Sequence, residues 1–167
     1  MLNPETKCII GNGLVIHLRG LMQEMADLKA GGVKNINERL FISDRAHIVF
    51  DFHQQLDGLN EKRLGGNKIG TTHKGIGPAY QSKAMRNGIR VGDLKDFDFF
   101  VKRLRLLVAQ LKQANPDLVV DVDKEIEYYK SIRDEIVAMT TDTITLSNTV
   151  LAEGKNILIE GANATSK

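Results

Sequence analysis

The chain has no tryptophan, one cysteine, three prolines and an aromatic content of only 5% across 167 residues. A lone Cys8 excludes an internal disulfide, and its neighbours Ile9 and Ile10 mark it as a buried thiol suited to a reducing compartment, so a cytoplasmic location is expected. The four histidines His17, His47, His53 and His73 show no paired ligand spacing, and a single cysteine adds no partner, so no metal site is expected from this chain. Residues 1–7 hold an acid and a proline instead of a basic-then-apolar leader, and no apolar run approaches the ~20 residues of a membrane span. No membrane partner is expected. An excess of either charge is also missing: 23 Lys+Arg stand against 21 Asp+Glu, a formal +2 that is too small to draw the chain to nucleic acid.

One local absence says more than these global ones. Residues 62–92 contain seven cations (Lys62, Arg63, Lys68, Lys74, Lys83, Arg86 and Arg90) and no Asp or Glu. That window carries net +7 inside a chain that is otherwise net −5, which points to a local anionic partner such as phosphate. With 42% hydrophobic residues and 26% charged ones, the rest has the composition of a globular unit able to bury a core.

Residues 8–10 form a short apolar run closed by Gly11-Asn12-Gly13, which reads as a strand leaving into a turn. Leu18, Leu21, Met22, Met25 and Leu28 recur at helical spacing and predict a helix over residues 16–30, stopped by Gly31-Gly32. A second strand is expected at 40–42. A helix capped by Ser43 or Asp44 should then carry Ile48, Val49, Phe52, Leu56 and Leu59 on one stripe and end near Asn60. Residues 64–79 hold five glycines and Pro78 without periodicity and read as a loop, with Pro78 opening a short helix to about Met85. Ile89-Arg90-Val91 reads as a brief strand. Asp93 or Asp96 can cap a long helix ended by Asn115-Pro116; a further helix covers 121–139, a weaker one 141–151, and residues 156–159 read as a last strand.

The chemistry concentrates in Lys68-Ile69-Gly70-Thr71-Thr72-His73-Lys74-Gly75-Ile76-Gly77-Pro78-Ala79-Tyr80. Glycines let backbone N–H groups approach phosphate oxygens, and the start of a following helix adds a favourable dipole. Gly70 and Gly75 have the Walker A spacing, but Ile76 and Gly77 replace the Lys and hydroxyl that a nucleoside-triphosphate loop requires. Gly11-Asn12-Gly13 likewise fails the dinucleotide fingerprint at Ile16. No nucleophile elbow or triad is present, and no catalytic set assembles from these residues; on the residues alone the chain is a phosphate- or nucleotide-binding piece.

At these same positions the sequence resembles the adenylosuccinate synthetase family. The matching segments are IGNGLVIH (10–17), LFISDRAHIVFDFHQQLDG (40–58), NKIGTTHKGIGPAYQSKAMRNGIRVGDL (67–94) and ILIEGAN (157–163), in family order. The resemblance implies an α/β fold, here a helix-rich fragment whose short strands belong to a larger, mostly parallel sheet, with residues 1–167 forming a single partial domain. It implies a GTP-dependent ligation of IMP and L-aspartate in AMP biosynthesis, through 6-phosphoryl-IMP and with Mg2+. Three roles carry over: Thr72 as a ligand of the IMP phosphate, Arg86 as the arginine that reaches the partner subunit's nucleotide site in a homodimer, and Asn163 as an amide contact to IMP. The family's GDEGKGK motif, with its base and Mg2+ ligand, and its GHT motif, with its acid, do not occur in this chain. Neither GTP nor Mg2+ is therefore expected to be bound wholly by it, and isolated catalysis is not expected. The alternative is a stand-alone, non-catalytic module for purine-nucleotide binding or dimerisation.

Overall fold

The computed structural model of the chain describes residues 1–67 and 70–161, with only the backbone of Asn67. Its architecture is mixed α/β, with seven α-helices and five short strands among the described residues. The strands are β1 (Cys8–Ile10), β2 (Val15–Ile16), β3 (Leu40–Ser43), β4 (His47–Ile48) and β5 (Thr140–Thr141). The helices are α1 (Leu18–Ala30), α2 (Ile36–Arg39), α3 (Asp51–Leu64), α4 (Ile76–Ala84), α5 (Phe97–Ala114), α6 (Val122–Met139) and α7 (Thr143–Ala152). All strand pairings are parallel: β1, β3 and β5 form one sheet with β3 central, and β2 pairs with β4. Parallel neighbours need long crossovers, and helices supply each of them.

Four aromatic side chains build the centre. Phe50 stacks on Phe52 with ring centroids 4.7 Å apart and meets Tyr129 at 5.1 Å, while Tyr129 meets Phe100 at 5.4 Å. These rings join the start of α3 to α5 and α6, and all four are essentially removed from solvent. Offset and tilted ring pairs add to the area they bury. Around them lie Leu18, Met25, Ile42, Ile48, Leu94, Leu104 and Ile136, so the apolar stripes expected for α1, α5 and α6 do face one common core.

Several boundaries differ from the sequence expectation. The helix expected after Ser43 or Asp44 starts only at Asp51. Residues 46–49 are drawn into extended structure from both sides: the Ile48 N–H donates to the Ile89 carbonyl and the Val49 N–H to the Ile16 carbonyl. Helix α3 instead closes its first turn with His53, whose Nδ1 accepts the Phe50 N–H at 3.1 Å. Ile89-Arg90-Val91 makes a single antiparallel bridge between Arg90 and His47 and then tightens into a 3-10 turn over Val91–Lys95. Residues 156–159 form no strand; Leu158 and Ile159 are 96% and 88% exposed, because no described neighbour offers them a ladder. Asp96 caps α5 and Asp121 caps α6, each accepting the backbone N–H three residues on.

Candidate functional site

Helix α3 is the platform of the site. Its residues His53, Asp57 and Glu61 lie at i, i+4 and i+8 and therefore share a face, and all three are buried. His53 Nδ1 accepts from the Phe50 backbone, which leaves the proton on Nε2 to donate to Ser82 Oγ at 3.4 Å in α4. Burial alone pushes the His53 imidazole down to about 4, since charging it there would strand a cation away from water. Asp57 Oδ2 accepts the Gly75 N–H at 3.1 Å, and Glu61 Oε2 accepts the Gly70 N–H at 3.1 Å.

The glycine-rich loop lies across this face. Gly75 has φ +73 and sits so close to α3 that a Cβ would come within 2.6 Å of the Gln54 nitrogen, so only glycine fits there. Gly70, at φ +78, and His73, at φ +54, also adopt left-handed backbone. Between the two anchored glycines, the backbone N–H groups of Thr71, Thr72, His73 and Lys74 donate to no acceptor among the described residues. Thr71 Oγ1 is buried without a partner among the described residues, whereas Thr72, His73 and Lys74 are exposed. Unpaired donors of this kind next to the start of a nine-residue helix are a ready site for an anion. Pro78 occupies the third position of α4, where its missing N–H costs nothing.

Arg86 lies at the opposite end of α4, one residue beyond its cap at Met85, exposed and with φ +61. Thr72 thus precedes α4 and Arg86 follows it. Asn163 and its neighbours, as well as Lys68 and Ile69 at the head of the loop, lie outside the described residues.

Described cations of the acid-free window engage partners away from the loop. Arg63 binds the Asn115 side chain at 2.7 Å and pairs with Asp117, while Lys83 donates to the Gly13 carbonyl at 2.9 Å. Tyr80 donates to the same carbonyl, which fastens α4 to the turn after β1. A cleft of about 520 Å3 lies between α3, α4 and α5, lined among others by Leu56, Pro78, Ser82, Asn87 and Gln110, and no residue between Gly70 and Gly75 faces it. The loop donors thus lie outside that cleft.

Two polar groups on α3 escape a reading of sequence alone. Asp57 and Glu61 look like solvated helix residues by type, and the signal that marks them is their shared spacing with His53 on the flank of the Phe52-Leu56 stripe. A second network, His17 to Asp51 at 2.8 Å and Arg19 to Asp51 and Glu125 at 3.0 Å each, ties α1, α3 and α6 together beside Tyr128, on which Arg19 stacks. Burial raises the Glu125 carboxyl above the usual range, outweighing the opposite pull of Arg19. Among the described residues no three His, Cys, Asp or Glu side chains converge as a metal-binding group. No described helix is long and apolar enough to cross a membrane.

The described residues form a parallel α/β frame that presents a glycine-rich loop before a helix. Comparison with known proteins narrows the class: the family model described as adenylosuccinate synthetase matches residues 1–167, and the chain belongs to that family. Adenylosuccinate synthetase of Phaeodactylum tricornutum is 51% identical over 165 residues, covering 99% of this chain and 31% of that protein. The Drosophila melanogaster protein of the same name is 48% identical, with 98% of this chain and 37% of that one covered. A solved structure of fully ligated adenylosuccinate synthetase from Plasmodium falciparum superposes with a TM-score of 0.86 at 39% identity, over 93% of this chain and 36% of that one. The chain thus spans about a third of the length of these relatives.

Proposed function

We propose that this segment supplies the phosphate-binding part of an IMP site in a GTP-dependent ligase that joins IMP to L-aspartate, the adenylosuccinate synthase step of AMP formation. The observation that carries the reading is the row of backbone donors from Thr71 to Lys74 that meet no acceptor among the described residues, with the Thr71 hydroxyl likewise unpartnered among them and the start of α4 following. Such donors stabilise a dianionic phosphate and, by fixing that end of the nucleotide, set the orientation of its purine. Thr72 adds a hydroxyl from the exposed crest of the loop. Arg86, exposed beyond the C-terminal end of α4, suits a guanidinium offered to a second copy of the chain in a homodimer. Asn163 is assigned an amide contact to IMP by family resemblance.

Residues 1–167 act in this reading as one partial domain of the ligase. Aspartate, GTP and Mg2+ are handled by other segments, and no proton or phosphoryl transfer is assigned to the residues of this one. The unpaired Cys8 suits work in the cytoplasm.

The test uses the full-length protein. Thr72→Ala and Arg86→Ala should each raise the dissociation constant for IMP about tenfold, the scale of one hydrogen bond to a charged group. When the two variants are mixed and re-equilibrated as dimers, a fraction of sites should regain wild-type affinity, because one site of each mixed dimer then has both an intact loop and an intact arginine. Unchanged affinity in both single variants would overturn the loop assignment, and absence of rescue on mixing would overturn the cross-subunit role.

A further inference from the structure

The glycine-rich loop begins and ends on carboxylates, an unexpected foundation for a phosphate site. Asp57 and Glu61 are 7% and 5% exposed, and each spends an oxygen on one backbone N–H: Gly75 for Asp57 and Gly70 for Glu61. Neither can attract a phosphate, since like charges in a poorly hydrated setting repel. Their effect is geometric. Residues four apart on a helix rise by about 6 Å along its axis, whereas five residue steps of extended chain could span about 17 Å. Tethering Gly70 and Gly75 to Glu61 and Asp57 therefore forces the four residues between them to bow away from α3. Those four are the residues whose N–H groups have no acceptor among the described residues, and three of them are exposed. The positive φ at both tethered glycines and at His73 fits a segment pinned across the helix and arched between the pins.

We infer that Asp57 and Glu61 are positioning residues: by holding the Gly75 and Gly70 N–H groups they arch residues 71–74 into the conformation that receives the nucleotide phosphate. The inference rests on the proposed phosphate role of that loop. It adds that the loop is pre-shaped by buried acids on the preceding helix, and that the helix carries them four residues apart because the arch needs both ends fixed.

The experiment compares IMP with inosine, which lacks the phosphate, by calorimetric titration of the full-length protein and its Asp57→Ala, Asp57→Asn and Glu61→Gln variants, with circular dichroism to check folding. Wild type should prefer IMP over inosine; equal binding of the two would overturn the phosphate role itself, apart from any claim about the acids. Asp57→Ala should lose at least tenfold in IMP affinity and less than twofold for inosine, whereas Asp57→Asn and Glu61→Gln, which keep an oxygen acceptor, should stay within about threefold of wild type. A folded Asp57→Ala protein with wild-type preference for IMP would overturn the positioning role. Hydrogen exchange on the wild type gives a reading free of variants: the Gly70 and Gly75 amides should be protected and those of Thr71 to Lys74 should exchange fast until IMP is added. Exchange at Gly70 and Gly75 as fast as at their neighbours would contradict the inference.

Discussion

His53 shows how much a single residue on the platform of the site contributes. Its ring accepts the Phe50 N–H, reaches Ser82 and lies edge-on to Phe52 at 4.7 Å, so it is held neutral in the core. An unfolded histidine titrates near 6.5 and this one near 4. As pH falls below 6.5 the unfolded chain takes up a proton that the folded chain refuses, so stability is full above that value and declines down to about pH 4. The gap corresponds to about 3 kcal/mol. Urea midpoints measured from pH 7.5 to 4 should show this loss, and His53→Asn, which keeps an acceptor for Phe50, should flatten most of it; His47, lowered first by burial and then by Lys83, leaves a residual slope of the same sign. An unchanged profile in the variant would assign the loss elsewhere. Arg86 makes the opposite case, a residue that costs stability. A non-glycine side chain at φ +61 is disfavoured by about 1 kcal/mol, so Arg86→Gly should raise the unfolding midpoint while weakening IMP binding in the proposed dimer. Loss of stability in that variant would mean the turn after α4 depends on the arginine itself.

At the scale of elements, caps and apolar stripes decided where the long helices lie. Asp96 is a cap by residue type, and the structure places it on the Phe99 N–H at 3.0 Å. Asp96→Ala should cost about 1 kcal/mol in chemical denaturation without altering ligand affinity, since α5 supplies no donor to the loop. An effect on IMP binding comparable with that of Thr72→Ala would contradict this separation. These helices were legible because eighteen residues of periodic pattern average out local noise. The strands β2, β4 and β5 were not, because two residues carry no alternation and their conformation is fixed by neighbours remote in sequence: Val15 pairs with His47, and Ser43 with Thr141. The same dependence on neighbours explains why Ile48 and Val49 joined extended structure rather than a helix, and why the apolar residues 156–159 formed no strand. Within the loop, glycines and hydroxyls pointed by type to the phosphate role proposed above. The acids beneath it carried no such signal, because Asp and Glu on a helix are usually solvated and the burial of Asp57 and Glu61 emerges only from the fold.

For the whole molecule, the aromatic centre formed by Phe50, Phe52, Phe100 and Tyr129 makes α3 a fixed beam, and the loop, α4 and Arg86 are arranged along and beyond it. Membership of the adenylosuccinate synthetase family gives this arrangement its substrate in our reading: a purine nucleotide whose phosphate meets the crest of the loop. The most direct test is amide chemical-shift mapping of the isotopically labelled full-length protein with IMP and, in parallel, with inosine. The account predicts that IMP shifts the Thr71, Thr72, His73 and Lys74 amides strongly downfield in a saturable way and that inosine leaves them in place. Saturable IMP binding that leaves those four amides unmoved would contradict it.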